Sequence, residues 1–226
     1  MIRLRGRRVF TCWRIDVNTV LIVDSHAVVR DGIKRIVDGT EGAVVFGEAA
    51  TVAECMRLAR QRDWDVAVLE LALAGRDGLE VLKELRQIRP RMPVLILSAH
   101  SEEQYARRAF KAGASGYVAK DSTREELLTA FDKVLKGGRY VSPSLAEAIV
   151  VNLGPGSDHP RHETLSDREF QIMRLIASGK TVSQIADLLS ISARTISTYR
   201  ARVLKKMSLK TSAELTHYVI KNNLEN

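Results

Sequence analysis

Thr19-Val-Leu-Ile-Val23-Asp24-Ser25-His26 joins a short, wholly apolar, β-branched run to an abrupt polar step. A run that brief and that continuously apolar reads as a strand buried on both faces, as in a parallel sheet covered by helices. The same unit recurs downstream. A helix carries Val28, Val29, Ile33, Ile36 and Val37 at helical spacing, residues 43–47 read as a strand, and residues 51–61 as a helix. Val66-Ala-Val-Leu69 is a third strand, Val94-Leu-Ile-Leu97 a fourth and Gly116-Tyr-Val-Ala119 a fifth, each followed by a helix, at 79–88, 102–111 and 124–136. Five strands alternating with five helices predict a doubly wound α/β domain over residues 18–140.

Ligand chemistry in such sheets gathers at the carboxyl ends of the strands. The first strand delivers Asp24 and Ser25 there, the third Glu70, the fourth Ser98 and the fifth Lys120. Any one of these could be an ordinary surface residue. Their convergence on one sheet edge makes the set a candidate site. The edge lacks a glycine-rich phosphate loop and any nucleophile–histidine–acid set, so neither enzymatic activity nor a cofactor is expected. A flavin or nucleotide found in the spectrum of the purified protein would reopen the enzymatic alternative.

A second organising stretch lies near the other end, Ser192-Ala-Arg-Thr-Ile-Ser-Thr-Tyr-Arg-Ala-Arg-Val-Leu-Lys-Lys-Met207. Wound as a helix, it puts Ile196, Tyr199, Val203 and Met207 on one stripe. Arg194, Ser197, Thr198, Ala201, Arg202 and Lys205 take the other face. That face has cations, short hydroxyls and no acid, which suits a DNA groove. A solvated helix face is the commoner origin of such a pattern. The preceding segment, Thr181-Val-Ser-Gln-Ile-Ala-Asp-Leu-Leu-Ser190, tips the balance. It reads as a short helix with Ile185, Leu188 and Leu189 inward, followed by a brief turn at Ser190 and Ile191. Two short helices joined so tightly form a helix-turn-helix. Ser166 with Glu169 three residues on marks a capped helix in front of it. Residues 161–226 thus read as an all-α domain of four helices, the last at 212–222.

The charge distribution agrees. Residues 161–226 hold 11 Lys and Arg against 6 Asp and Glu, a net of +5. Residues 18–160 hold 19 against 20, and residues 1–17 hold 5 against 1, so the basic excess sits at the two ends. Residues 1–17 read as a disordered basic extension, and residues 141–160 as a linker of one helix and a breaker-rich tether. Cys12 and Cys55 lack metal-ligand spacing, and a reduced cytoplasmic setting is expected, with Cys55 a small core residue. His159 and His162 are expected to be solvated. No apolar run is long enough to span a membrane.

Over nearly its whole length the chain resembles the two-component response regulators of the NarL/FixJ type, a receiver domain followed by a LuxR-type helix-turn-helix domain. The resemblance is carried by Val23-Asp24, Gly75 with Asp77-Gly78, Leu97-Ser98-Ala99-His100, Ala112-Gly-Ala-Ser-Gly-Tyr117 and Val118-Ala119-Lys120-Asp121. In the second domain it is carried by Leu165-Ser166, Glu169, Gly179, Ile185-Ala186 and Thr195-Ile196. It implies a flavodoxin-like five-stranded receiver, a homodimer, double-stranded DNA as partner, and a sensor kinase or other regulatory protein upstream. It also implies that Thr181, Ser183, Gln184 and Thr195 join the basic face at DNA. Tyr117 falls at the aromatic switch position, although a lone tyrosine at a strand start is more commonly just packed. Leu215, Tyr218 and Val219 fall where the family makes its dimer contact, with coverage of the domain's own core as the competing use.

The chain departs from this family at the pocket. An aspartate that ends the third strand is phosphorylated in such receivers, and a pair of acids ending the first strand helps to hold magnesium. Here position 70 is glutamate, the second acid is Ser25, and Ala74 replaces the proline before Gly75. Asp65 lies at the opposite end of the third strand, and Asp77 belongs to the following turn. The expectation is a receiver that cannot be phosphorylated. Either the Glu70 carboxylate imitates an aspartyl phosphate towards Ser98 and Lys120, or the pocket has decayed and the receiver serves as a dimerisation scaffold. The alternatives are a conventional phosphorelay regulator with a different acceptor, and a protein-binding regulator whose DNA face is vestigial.

Overall fold

A computed structural model describes residues 19–38, 44–73, 76–99, 102–152, 160–222 and 224. The N-terminal extension with Cys12, together with Ala74, Gly75, His100 and His159, lies outside the described residues.

The first domain runs β1 (Thr19–Val23), α1 (Ala27–Asp38), β2 (Val45–Ala49), α2 (Val52–Gln61) and β3 (Val66–Leu69). A short ladder follows, β4 (Ala72–Leu73) against β5 (Arg76–Asp77). It continues with α3 (Gly78–Ile88), β6 (Val94–Ser98), α4 (Glu102–Ala112), β7 (Gly116–Ala119) and α5 (Arg124–Leu135), and α6 (Pro143–Asn152) follows in the linker stretch. The main sheet has the order β2-β1-β3-β6-β7 with every pair parallel. The strand order reverses beside β1 and β3, which opens a crevice at their carboxyl ends.

Period-two alternation feeds both faces of the sheet. Val20, Ile22, Val66, Val68, Leu95 and Val118 pack with Ile33 and Val37 of α1 and Leu127 and Phe131 of α5. Leu21, Val23, Leu69, Val94 and Ile96 pack on the other side with Cys55, Leu82, Leu85 and Ala106. Burial pushes the Cys55 thiol up to about 12, which marks it as an inert core residue. The second strand lies two residues beyond its expected place. Gly47 within it runs against the Trp64 ring, where a Cβ would come within 2.3 Å of a ring carbon. The helices start where their caps dictate. Thr51 and Thr123 close full capping boxes with Glu54 and Glu126.

The second domain holds a 3₁₀ turn (Arg161–Thr164), α7 (Asp167–Ala177), α8 (Val182–Leu189), α9 (Ala193–Met207) and α10 (Ser212–Lys221). Ser166 with Glu169 and Thr181 with Gln184 form capping boxes. Ser190 ends α8 in the left-handed region at φ 53°, and Ser192 caps α9, so the turn between them is as tight as expected. Phe170, Ile172, Met173, Ile185, Leu189, Ile196, Val203 and Met207 form the core.

Three expectations need correction here. Leu188 is 48% exposed, and Ala186 takes the inward position beside Ile185 and Leu189. Ile185, Ala186 and Leu189 form the arc of α8 that packs on α7 and α9, with Val182 partly buried beside them. Leu215 and Val219 are buried in their own domain, where they close the core from α10, so the competing use holds and they are not available as a dimer contact. Tyr218 is partly buried, and its hydroxyl meets Nδ1 of His162 at 3.1 Å. His162 is therefore not solvated. Its ring lies among Phe170, Tyr218 and Arg108, and burial followed by the Arg108 charge pulls its pKa down.

Candidate functional site

Backbone bonds align the strand ends that form the pocket. The Asp24 N–H donates to Ala49, the Glu70 N–H to Val23 and the Lys120 N–H to Ser98. Three of the four pocket side chains are almost fully buried: Asp24, Glu70 and Ser98. Oε1 of Glu70 accepts from the Ser98 hydroxyl at 2.6 Å and from the Ala72 N–H at 2.9 Å. Its Oε2 meets the Lys120 ammonium at 2.6 Å. That ammonium also lies 2.6 Å from Oδ2 of Asp24. The other Asp24 oxygen accepts from the His26 N–H at 2.8 Å and lies 3.1 Å from His26 Nδ1. Burial pulls the Lys120 pKa down, but its bonds to Asp24 and Glu70 outweigh this and hold it above the usual lysine value.

Ser25 stands apart, exposed on the rim. Asp65 is also remote, accepting from the Thr19 N–H at the opposite end of the sheet. Tyr117 is fully buried in β7, paired in register with Ile96. Two contributors had no obvious signal in the sequence. His26 orients Asp24 from two residues away, and the Ala72 N–H reaches back two residues to the Glu70 carboxylate.

Magnesium is usually held by one or two carboxylates together with several waters. The two carboxylates that could serve here, Asp24 and Glu70, are both bonded to Lys120. One lysine already bridges both buried carboxylates, and the position of a third acid is a serine. No group of three metal-ligating side chains exists among the described residues.

The second assembly is the outer face of α8 and α9. Thr181, Ser183, Gln184, Arg194, Thr195, Ser197, Thr198, Ala201, Arg202 and Lys205 are all exposed, while Ile196, Val203 and Met207 are buried. Tyr199 lies half-buried between the two sets, with the Arg202 guanidinium 5.9 Å from its ring centre. The Ser197 and Thr198 hydroxyls donate back to Ala193 and Arg194, which leaves their oxygens facing outward as acceptors. Thr181 and Gln184 are partly occupied by the α8 capping box. Arg200, not singled out from the sequence, is exposed beside this face and donates to Ser212.

A switch-point pocket of buried acid, hydroxyl and lysine, joined in one chain to a helix-turn-helix with an open basic face, defines a two-domain regulator. Residues 20–132 match the response regulator receiver domain family, and residues 163–219 match the bacterial regulatory proteins of the luxR family. The chain belongs to the response regulators that join a receiver to a LuxR-type DNA-binding domain, a family of transcription regulators within the two-component systems. It is 34% identical to response regulator GacA of Pseudomonas aeruginosa over 206 residues, 91% of this chain and 96% of the relative. It is 31% identical to response regulator UvrY of Escherichia coli K12 over 208 residues, 92% of this chain and 95% of the relative. The fold is shared with RcsB of Salmonella enterica serovar Typhimurium, solved bound to promoter rprA in the presence of the phosphomimetic BeF3-. That structure has a TM-score of 0.66 at 24% identity, with 89% of this chain and 98% of that one covered. No helix among the described residues is long and apolar enough to cross a membrane.

Proposed function

We propose that this chain is a transcriptional regulator that binds duplex DNA through α9, and that its receiver takes up no phosphoryl group because Glu70 stands in for one. The observation that carries this reading is the Glu70 carboxylate, buried and held at 2.6 Å by both Ser98 and Lys120. In the family the chain resembles, residues matching those two grip the phosphoryl group. A carboxylate brings one charge and two acceptor oxygens, where a phosphoryl group brings about two charges and three oxygens, so the imitation is partial. Both Glu70 oxygens are engaged, which disfavours their use as nucleophiles, and the missing acid at Ser25 leaves magnesium without a cradle.

At DNA, Arg194, Arg202 and Lys205 serve as phosphate contacts, and Ser197, Thr198 and Ala201 are the positions small enough to approach base edges. A homodimer would set two such helices on half-sites one helical turn, or a multiple of it, apart. With Leu215 and Val219 committed to the core, the dimer contact falls to the outward side of α10, where Ile220 is 53% exposed. A sensor kinase would meet a receiver that it cannot load.

Incubation with a small-molecule phosphodonor and Mg²⁺, followed by mass measurement, tests the pocket; the expected result is an unchanged mass. Glu70→Gln should weaken dimerisation or DNA binding. If both stay unaltered, the receiver is a scaffold and Glu70 imitates nothing.

A further inference from the structure

The two domains are joined by a built contact. Arg108 of α4 reaches across to the entrance of α7, where its guanidinium donates to the carbonyls of His162 at 2.6 Å and Leu165 at 2.8 Å. It also pairs with Asp167 at 3.3 Å and lies 4.2 Å over the Phe170 ring. Its side chain is only 12% exposed. Around it, Lys83 of α3 pairs with Asp167 at 2.6 Å and Arg107 with Glu163 at 2.5 Å. The Tyr105 ring meets Phe170 edge-on at 5.6 Å, and its hydroxyl accepts from Arg174. A guanidinium that satisfies two backbone carbonyls, a carboxylate and an aromatic face in one place is a specific lock.

What the lock covers decides its consequence. The receiver lies against His162, Glu163 and Leu165 and against Asp167, Phe170 and Arg174 of α7. With the receiver in place, each residue of the basic face from Thr181 to Lys205 named above is still exposed.

We infer that receiver docking through Arg108 does not shut off the regulator: the docked two-domain unit binds DNA as it stands, with Arg108 as the clamp that fixes the orientation of its helix-turn-helix. This rests on the DNA-binding reading above and adds to it the form in which the chain engages DNA. It also supplies a route from the pocket. Ser98, held by Glu70, ends β6, and the chain next enters α4, which carries Tyr105, Arg107 and Arg108. A pocket fixed by a permanent carboxylate and an interface fixed by the same helix describe a regulator set in one state.

The test locks the interface covalently. Lys83→Cys and Asp167→Cys, in a Cys12→Ser background, are joined by a short bis-maleimide, with buried Cys55 left unreacted. Binding to a fluorescent random-sequence duplex at low salt is compared for the linked and unlinked full chain. The expected result is two affinities within about threefold of each other. Strong binding by the unlinked chain with a loss of about tenfold or more on linking would overturn the inference and leave the DNA-binding reading intact. If neither form binds, that reading falls and the inference falls with it. Arg108→Ala provides a second arm. Relief of autoinhibition would raise affinity about tenfold, which would contradict the inference, whereas a docked and competent unit predicts no gain.

Discussion

Glu70 and Lys120 meet at 2.6 Å inside the pocket, and the same ammonium lies 2.6 Å from Asp24, so one cation serves two buried carboxylates. Removing that cation leaves Glu70 with no partner charge and Asp24 with only His26 beside it, in a place water reaches poorly. Lys120→Met should therefore destabilise the receiver by about 3–5 kcal/mol. Glu70→Gln keeps an acceptor for Ser98 and Ala72 and leaves Lys120 its bond to Asp24, so its cost should be about 1–2 kcal/mol. Denaturant midpoints for the two variants check the order. Equal costs would mean that Lys120 does not bridge both acids.

The missing chemistry should be restorable. Glu70→Asp shortens the acceptor side chain, and Ser25→Asp supplies the second acid on the rim. The double variant, given a small-molecule phosphodonor and Mg²⁺, is expected to gain the mass of one phosphoryl group while the wild type gains none. Phosphorylation of the wild type at any residue of the receiver would contradict the reading of Glu70.

Asp77 titrates in a testable window. It caps α3 through a bond to the Leu79 N–H, yet burial pushes its carboxyl up to about 6 from the ordinary 3.8. The folded state thus binds the proton more tightly than the unfolded chain does. Its contribution is fully present below pH 4 and is lost as pH rises through about 6, a destabilisation of order 1–3 kcal/mol at neutral pH. Asparagine also caps helices and carries no charge. Asp77→Asn should raise the melting temperature at pH 7 and leave it nearly unchanged at pH 4. The reverse order would show that the carboxylate is stabilised where it sits.

Two adjacent leucines report on how α8 packs. Leu189 is buried and Leu188 is 48% exposed. Leu189→Ala should cost about 2–4 kcal/mol and Leu188→Ala less than about 1 kcal/mol, read from thermal or denaturant unfolding.

On the DNA side, Lys205 is exposed in the last turn of α9 and is assigned to phosphate. Lys205→Ala should weaken binding to every duplex alike and reduce the slope of log affinity against log salt by about one per half-site. A change confined to one base preference would move Lys205 to base readout.

The sheet was legible because its strands are apolar without interruption, so strand, helix and crevice followed from short windows. The pocket was legible for the same reason: strand ends in a parallel sheet bring Asp24, Glu70, Ser98 and Lys120 to one edge whatever the intervening helices do. Helix faces were harder. Leu188 and Leu189 are chemically identical, and only the way α8 packs on α7 and α9 decides which one turns inward. Leu215 and Val219 carry the apolar edge expected of either a core or a dimer, and periodicity does not separate the two. The domain contact left no trace in the sequence, since Arg108, Asp167 and Glu163 look like ordinary solvated charges on their own helices. His162 became a structural residue only because two helices and a distant arginine converge on it.

The most direct measurement is a DNA-binding isotherm of the full chain, taken over a salt series with and without a phosphodonor and Mg²⁺. Salt-sensitive binding is expected from the untreated protein, with superimposable curves after treatment. Binding that appears, or tightens about tenfold, only after treatment would contradict that expectation.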